Sequence, residues 1–137
     1  MTRDQQDLSQ SLKMEAVHSA QGSSLILSAQ INSHPIAVEV DSGYKRTEIS
    51  LQLVKTLNLS TSKIDAIKIL NADGSSNSSK FTDMETTFML NLKGHKSKTT
   101  ALVFDIGSTD ILLGHDWLAY HNPEINWTTG EVLFMQC

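Results

Sequence analysis

Residues 36–43 read IAVEVDSG and place an aspartate directly after a short alternating run. Apolar residues at positions 36, 38 and 40 alternate with Ala37 and Glu39, which is the period of a half-buried β-strand. On its own, Asp41-Ser42-Gly43 is consistent with a strand-ending turn, in which the aspartate caps the turn and the glycine takes a positive φ. The role of Asp41 therefore has to be judged from the surrounding sequence.

The sequence on either side of this strand predicts further short strands. An alternating run over residues 24–31 is separated from it by the turn cluster Asn32-Ser33-His34-Pro35, so the two runs form a predicted β-hairpin. Other predicted strands cover residues 66–70, 81–92, 99–104, 124–127 and 131–135, and residues 111–113 form a short apolar run ended by Gly114. One short helix is predicted over residues 50–57, with Ser50 as its N-cap, and another over about 115–121, where Pro123 ends it. The pattern indicates an all-β domain, a closed or folded-over sheet with one or two short helices.

The composition is that of one ordinary globular domain. The chain has 137 residues, of which 39% are hydrophobic and 19% are charged. The net charge of −4 offers no basic footprint for nucleic acid, and no apolar run approaches the roughly 20 residues of a membrane span. The single cysteine, Cys137, excludes an intramolecular disulfide and a cysteine-based zinc site. We therefore expect no nucleic-acid partner and no membrane partner for this domain.

The polar residues 1–22 are predicted to be a leader or linker, and residues 23–137 the folded domain. Asp4 and Asp7 are unlike the start of a signal peptide, so we expect an intracellular, cytoplasmic location. The sequence has no G-x-S-x-G, Walker A, H-E-x-x-H or G-x-G-x-x-G motif, and its five histidines lack the spacing of metal ligands. We expect no metal and no cofactor.

Three blocks of the sequence resemble the retropepsin-like aspartic proteases in the polyproteins of gypsy-type LTR retrotransposons. The first is Val40–Gly43, which is similar to the family's apolar-Asp-Ser/Thr-Gly, and the second is Asn71–Ser75, which is similar to its flap segment. The third reads ILLGHDWL at residues 111–118 and continues to HNPEINW at residues 121–127, a long and specific signature. The resemblance covers residues 24–135 and implies a retropepsin-like, folded-over β-barrel with one lobe per chain.

This resemblance implies an aspartic endopeptidase. In such enzymes one carboxylate acts as the base on a water molecule and a second, protonated carboxyl donates to the scissile carbonyl, because two like charges so close share a proton. The chain has a single D-S-G, and Asp116 is interpreted as a helix-start residue, so one active site needs a homodimer with Asp41 from each copy. The implied substrate is a polypeptide, the chain's own polyprotein, and the implied location includes retroelement particles.

The resemblance also implies roles for named residues. The catalytic residues would be Asp41, Ser42 and Gly43, with Ser42 bracing the opposing loop across the two-fold axis and the Gly43 N–H open to the carboxylate. The substrate-binding residues would be Tyr44, Asn71, Ala72, Asp73, Gly74 and Ser75. Residues 71–79 would form the flap over an extended peptide, although these residues alone read as a flexible hairpin turn. The residues passing behind the catalytic loop and holding it rigid would be Leu112, Leu113 and Gly114.

The loop after D-S-G departs from the family pattern. Tyr44 stands where a small residue is usual, and the cations Lys45 and Arg46 follow it. Positive charges beside the dyad favour ionised carboxylates and weaken the acid of the pair. Glu48 occupies a position where the family often has an aromatic residue. Two alternatives stay open: a catalytically weak or inactive retropepsin-like domain that serves as a dimerisation or peptide-binding module, and a generic β-domain whose D-S-G is a turn.

Overall fold

The computed structural model describes residues 12–15, 17–18, 25–69, 80–107 and 109–134. In chain order the strands are β1 (Leu12–Glu15), β2 (Val17–His18), β3 (Leu25–Ile31), β4 (His34–Val40), β5 (Glu48–Ser50), β6 (Thr61–Ile69), β7 (Lys80–Leu92), β8 (His95–Phe104), β9 (Ile111–Leu113), β10 (Glu124–Asn126) and β11 (Glu131–Phe134). The helices within these ranges are α1 (Leu51–Leu57) and α2 (His115–His121). This architecture confirms the predicted all-β class with short helices.

Six strands form a closed barrel. Their order is β3, β4, β9, β5, β8 and β7, and the ring closes where β7 returns to β3 through the pair Gln30 and Asn91. Within the ring, β4 pairs with β9 and β5 pairs with β8 in parallel, and the other pairs are antiparallel. β2 and β6 extend the sheet outside the ring, along β3 and β7 respectively. Closure pairs each strand of the ring on both sides, which satisfies backbone groups that an open sheet leaves at its edges.

Side-chain alternation along the strands builds the core inside this barrel. In β3 the side chains at positions 25, 27, 29 and 31 are buried, and those between them are partly or fully exposed. Positions 36, 38 and 40 of β4 are buried in the same way. The hairpin predicted for this part of the chain is therefore confirmed, with its turn at Asn32 and Ser33. Larger side chains from the other strands complete the core, including Leu90, Leu92, Ile111, Leu113 and Phe134.

Both helices end where the sequence indicates. The Ser50 hydroxyl caps α1 by accepting a hydrogen bond from the Leu53 N–H at 3.4 Å, and Asn58 ends the helix in the left-handed conformation. Asn122 ends α2 in the same conformation, directly before the proline predicted to stop it. Each helix is anchored by buried side chains, Leu53 in α1 and Trp117 in α2. Of the helices in the described ranges, neither is long and apolar enough to cross a membrane.

A second, three-stranded sheet lies beside the barrel, in the order β1, β11, β10. β1 pairs antiparallel with β11, in a register that places Leu12 opposite Phe134 and Glu15 opposite Glu131. Residues 12–15 and 17–18 are thus strands within a segment whose polar sequence carries no strand signal. Strand formation here comes from pairing with distant partners rather than from local propensity. The domain boundary between residues 22 and 23 stays a prediction.

Two strands are longer than predicted. β6 begins at Thr61 rather than at residue 66, and β8 begins at His95 rather than at residue 99. Both extensions pair with the long strand β7, Thr61 opposite Thr86 and His95 opposite Leu92. Their polar residues give no strand signal of their own, and the neighbouring strand supplies the hydrogen bonds that make them strands.

Candidate active site

The Asp41 loop, residues 41–47, joins two strands that do not lie side by side. β4 leads into this loop and β5 leaves it, while β9 lies between them, parallel to β4 and antiparallel to β5. Val40 is in register with Leu113, and Glu48 is in register with Leu112. The chain therefore crosses the C-terminal end of β9 as it forms the loop.

Backbone groups hold Asp41 on both sides. Its N–H donates to the Leu113 carbonyl at 3.1 Å, which continues the pairing of β4 with β9 one residue beyond the strand. Its carboxylate Oδ1 accepts the Gly43 N–H at 2.9 Å, and its carbonyl accepts the Tyr44 N–H at 3.3 Å. Asp41 is half-buried, whereas Ser42 and Gly43 are exposed. The carboxylate is thus oriented by the loop's own backbone and stays partly accessible to water.

Gly114 allows the loop to pass closely over the end of β9. A Cβ atom at this position would lie 2.7 Å from both the carbonyl carbon and the carbonyl oxygen of Arg46. These are backbone atoms, which cannot rotate away as a flexible side chain can. The φ of Gly114 is −91°, so the close approach, and not the backbone conformation, requires glycine here.

The first turn of α2 fastens the loop. The His115 N–H donates to the Tyr44 carbonyl at 2.7 Å, and the Asp116 N–H donates to the Lys45 carbonyl at 3.1 Å. The first N–H groups of a helix have no partner within the helix. Loop carbonyls satisfy them here, so the helix and the loop hold each other in place.

The Asp116 carboxylate holds the end of the loop. Its Oδ1 accepts hydrogen bonds from the Thr47 hydroxyl at 2.8 Å, the Thr47 N–H at 3.0 Å and the Trp117 N–H at 2.7 Å. The Thr47 hydroxyl oxygen accepts the Gly114 N–H at 3.1 Å. Arg46 Nε lies 3.6 Å from Asp116 Oδ2. We call Asp116, Thr47 and Gly114 the loop clamp, because together they tie residue 47 to β9 and α2.

Removing the clamp's carboxylate in Asp116→Ala should lower the free energy of unfolding by about 3 kcal/mol, because the buried Thr47 donors lose a charged acceptor. Urea unfolding measures the loss. Asp83→Ala is the matched control, since Asp83 forms an ion pair with Lys63 at 3.9 Å whose side chains are 50% and 84% exposed. An exposed pair of this kind contributes less than about 1 kcal/mol. Equal losses in the two variants would contradict the clamp.

Glu48 is a buried acid next to the loop clamp. It directly follows Thr47 and is 4% exposed. Its neighbours on the adjacent strands are two leucines, Leu112 on β9 and Leu102 on β8. Burial in these surroundings, and then the negative charge of Asp116, raises the pKa of Glu48 to about 7. Near neutral pH this carboxyl is therefore divided between its neutral and ionised forms.

The structure brings together two of the predicted groups of site residues. Asp41 donates to the Leu113 carbonyl, and Gly114 lies against Arg46 and Thr47 of the same loop. Ser42 and Gly43 follow Asp41 in this loop, and Leu112 pairs with the strands on both sides of it. Tyr44 lies in the same loop and is half-buried. The predicted flap residues Asn71, Ala72, Asp73, Gly74 and Ser75 lie outside the described residues, so their role stays a prediction.

Sequence reasoning misses three features of the site: the bonds of Thr47, the clamp function of Asp116, and the burial of Glu48. Asp116 does begin a helix, as expected, but its carboxylate also reaches Thr47 across 69 positions of sequence. The one local signal in the sequence concerns Asp116, which lies two residues after Gly114, where a strand ends and a helix begins.

A carboxylate on a loop held by these hydrogen bonds, and partly open to water, is a group that can accept a proton from a water molecule. Over the described ranges, the His, Cys, Asp and Glu side chains form no group of three or more that could hold a metal ion. One chain contributes one Asp41 to the candidate active site.

Residues 37–137 match the family model of the PEG10/RTL1 protease domain. The match spans the Asp41 loop, β9 and the loop clamp. No curated protein sequence matches this chain.

Solved structures of retropepsin-like and retroviral proteases are similar to this fold. A retropepsin-like aspartic protease from Rickettsia conorii has a TM-score of 0.61 and 15% identity, over 91% of this chain and 89% of that chain. EIAV protease complexed with the inhibitor HBY-793 has a TM-score of 0.58 and 22% identity, over 80% of this chain and 99% of that chain. The retroviral protease-like domain of Ddi1 from Leishmania major has a TM-score of 0.52 and 15% identity, over 76% and 82%. The predicted retropepsin-like barrel is confirmed.

Proposed function

Because the chain belongs to the PEG10/RTL1 protease domain family, we propose that it hydrolyses peptide bonds as an aspartic endopeptidase. The observation that carries this proposal is the setting of Asp41, whose carboxylate accepts the Gly43 N–H at 2.9 Å while its own N–H is tied to Leu113. A carboxylate held this way keeps one orientation without closing itself off from water. Rigid placement of the reacting group is a large part of enzymatic rate enhancement.

The proposed active form is a homodimer, since each chain supplies one carboxylate. Two Asp41 side chains meeting at the two-fold axis share a proton, so one is ionised and one is neutral. The ionised carboxylate takes a proton from a water molecule, whose oxygen adds to the scissile carbonyl carbon. The neutral carboxyl gives its proton to the carbonyl oxygen. As the tetrahedral intermediate collapses, the first carboxyl passes the water's proton to the leaving nitrogen, the second takes back a hydroxyl proton, and the C–N bond breaks to release the amine. Ser42, exposed beside Asp41, braces the opposing loop in this proposal.

The proposed substrate is the polyprotein of a gypsy-type LTR retrotransposon that carries this domain, cleaved in the cytoplasm or in retroelement particles. The support for this is the likeness of residues 40–43, 71–75 and 111–127 to such proteases. An extended segment of the polyprotein would lie over the Asp41 loop, between Tyr44 and residues 71–79.

The test is cleavage of a mixed peptide library at about pH 4 to 7, where a carboxylate dyad is singly protonated. We expect cleavage that pepstatin blocks and whose rate rises more steeply than linearly with protein concentration, because the site forms only in the dimer. Sedimentation over the same concentrations should show the monomer–dimer transition in the same range. A folded dimer that cuts no peptide under any of these conditions would contradict the proposal.

One observation favours an alternative, a catalytically weak or inactive domain that binds peptides or dimerises. Tyr44, where a small residue is usual, lies half-buried directly after Gly43, and Glu48 is a buried acid at the other end of the loop. Under this alternative Tyr44→Ala would restore cleavage to an inactive wild type. If the wild type already cleaves peptides, Tyr44→Ala should change which peptides are cut.

A further inference from the structure

Glu48 has no part in the proposed hydrolysis. The residues paired with it on the neighbouring strands carry no positive charge that would stabilise its carboxylate. The residues paired with it are Leu112 and Leu102, and the next residues along the same row are Glu39 beyond Leu112 and Glu85 beyond Leu102. Paired residues on neighbouring strands point to the same face of a sheet. Glu39 and Glu85 are half-buried acids. An ionised Glu48 therefore lies between two apolar side chains, and the residues beyond these in the same row are acids.

The remaining charges near Glu48 come from the loop and the two helices. The titratable groups on these elements are Asp41, Tyr44, Lys45 and Arg46 in the loop, Lys55 on α1, and His115, Asp116, Tyr120 and His121 on α2. His121 is buried against Trp117, with ring centroids 4.0 Å apart. Lys45, Lys55 and His115 are exposed to solvent. Arg46 is committed to Asp116, at 3.6 Å, with its side chain 47% exposed. The half-exposed Arg46 thus already balances the charge of Asp116. Ionisation of Glu48 adds a second negative charge nearby.

Glu48 is connected to the loop clamp by both charge and chain. The negative charge of Asp116 raises the pKa of Glu48, and Thr47, the residue before Glu48 in the chain, is bound to Asp116. The Thr47 N–H and hydroxyl both donate to Asp116, at 3.0 Å and 2.8 Å. A change in the charge of Glu48 therefore changes the electrostatic energy of the Asp116 carboxylate, which holds the end of the Asp41 loop.

We propose that Glu48 is a positioning residue for the Asp41 loop, acting through Asp116 as an ionisation switch. When Glu48 is neutral, Asp116 keeps its bonds to Thr47 and its contact with Arg46. When Glu48 is ionised, two carboxylates oppose each other beside one cation, and their repulsion loosens the clamp. The inference goes beyond peptide hydrolysis, and it holds or fails whether or not the chain is an active protease.

The direction of the pH dependence follows from the shift. The pKa of Glu48 rises from an ordinary value of 4.5 to about 7 in the folded chain, so the folded state binds this proton more tightly than the unfolded state. Below pH 4.5 both states are protonated, so stability does not change with pH through this group and its favourable contribution is fully present. Between pH 4.5 and about 7 the unfolded state loses the proton first, so stability falls as the pH rises.

The first experiment measures the unfolding equilibrium by urea at a series of pH values for the wild type, Glu48→Gln and Glu85→Gln. Glutamine keeps the shape of the side chain and cannot ionise. From acid to neutral pH, the wild type should lose on the order of a hundredfold in its folding equilibrium constant relative to Glu48→Gln. Glu85→Gln, on the same row but half-buried, should follow the wild type. If the free energy of unfolding depends on pH in the same way in the wild type and in Glu48→Gln, the switch is overturned.

The second experiment tests whether ionisation of Glu48 changes the loop clamp or affects only the stability of the fold. The amide signals of Gly114 and Trp117, whose N–H groups donate to Thr47 and Asp116, are followed by NMR over the same pH range. These signals should titrate with the Glu48 midpoint in the wild type, and Glu48→Gln should remove this midpoint. Trp117 also stacks on His121, with ring centroids 4.0 Å apart, so a titration that remains in Glu48→Gln belongs to His121. In Asp116→Asn, which keeps the shape of residue 116 without its charge, the Glu48 midpoint should move down. Wild-type Gly114 and Trp117 signals that match those of Glu48→Gln at every pH would refute the coupling, even if stability still depends on Glu48.

Discussion

Asp41→Asn should reduce peptide cleavage by about 10⁴-fold while leaving the fold intact. The asparagine cannot take a proton from water or share one with a second copy, so the variant homodimer lacks both base and acid. Its side-chain oxygen can still accept the Gly43 N–H that now binds the carboxylate at 2.9 Å. Initial cleavage rates and thermal unfolding, measured on the same preparations, check the two halves of this expectation.

The chain contains a matched control for this variant. Asp105 is followed by glycine at the same spacing, and its Oδ1 accepts the Gly107 N–H at 3.5 Å, but it is exposed and lies at the end of β8. Asp105→Asn should leave cleavage unchanged. Cleavage that survives in Asp41→Asn, or is lost equally in Asp105→Asn, would remove Asp41 from the proposed dyad.

Mixing the wild type with Asp41→Asn tests whether two chains share one site. At concentrations well above the dimer dissociation constant, an equal amount of the variant should reduce wild-type activity to about half, because mixed dimers are inactive. If each chain works alone, the added variant leaves the activity unchanged.

Gly114→Ala should lower the free energy of unfolding by about 3 kcal/mol and reduce any cleavage by about 10²-fold. The new methyl would lie 2.7 Å from backbone atoms of Arg46, so β9 and the Asp41 loop have to move apart. That movement strains the bond of the Gly114 N–H to Thr47 and displaces the loop that carries Asp41. Urea unfolding and specific activity per folded dimer measure the two effects.

Gly94→Ala is the control that distinguishes the clash at Gly114 from a general effect of replacing glycine with alanine. Gly94 has a φ of +90°, and a Cβ there would meet nothing within 4 Å. Its replacement should cost about 1 kcal/mol through backbone conformation, with no change in cleavage per folded molecule. If both glycine variants lose stability and keep full activity, the packing at Gly114 does not position the loop.

The parts of the fold that follow from local periodicity are predictable from the sequence. The hairpin of β3 and β4, the cap at Ser50, and the passage from β9 into α2 each have a signal within a few residues. β1 and the first half of β6 have none, because their polar residues become strands only by pairing with β11 and β7. Pairing with a distant strand is decided by the whole fold and not by the segment.

The same distinction separates the predictable part of the site from the rest. Asp41, Ser42 and Gly43 are recognisable because their order is a motif. The contact of Thr47 with Asp116 joins residues 69 positions apart, and the burial of Glu48 depends on two further strands, β8 and β9. The sequence shows Glu48 as a departure from a pattern, but its ionisation depends on neighbours that only the folded chain provides.

The position of β9 between β4 and β5 also has a consequence for the timing of assembly during translation. A ribosome adds roughly 5–20 residues per second, so several seconds separate the synthesis of Val40 from that of its register partner Leu113. Until β9 emerges, β4 and β5 have no strand between them, and Asp41 lacks the carbonyl that its N–H binds. A nascent chain or a C-terminal truncation before residue 113 cannot build this loop. In the proposed protease, activity is thus confined to chains whose synthesis has passed β9.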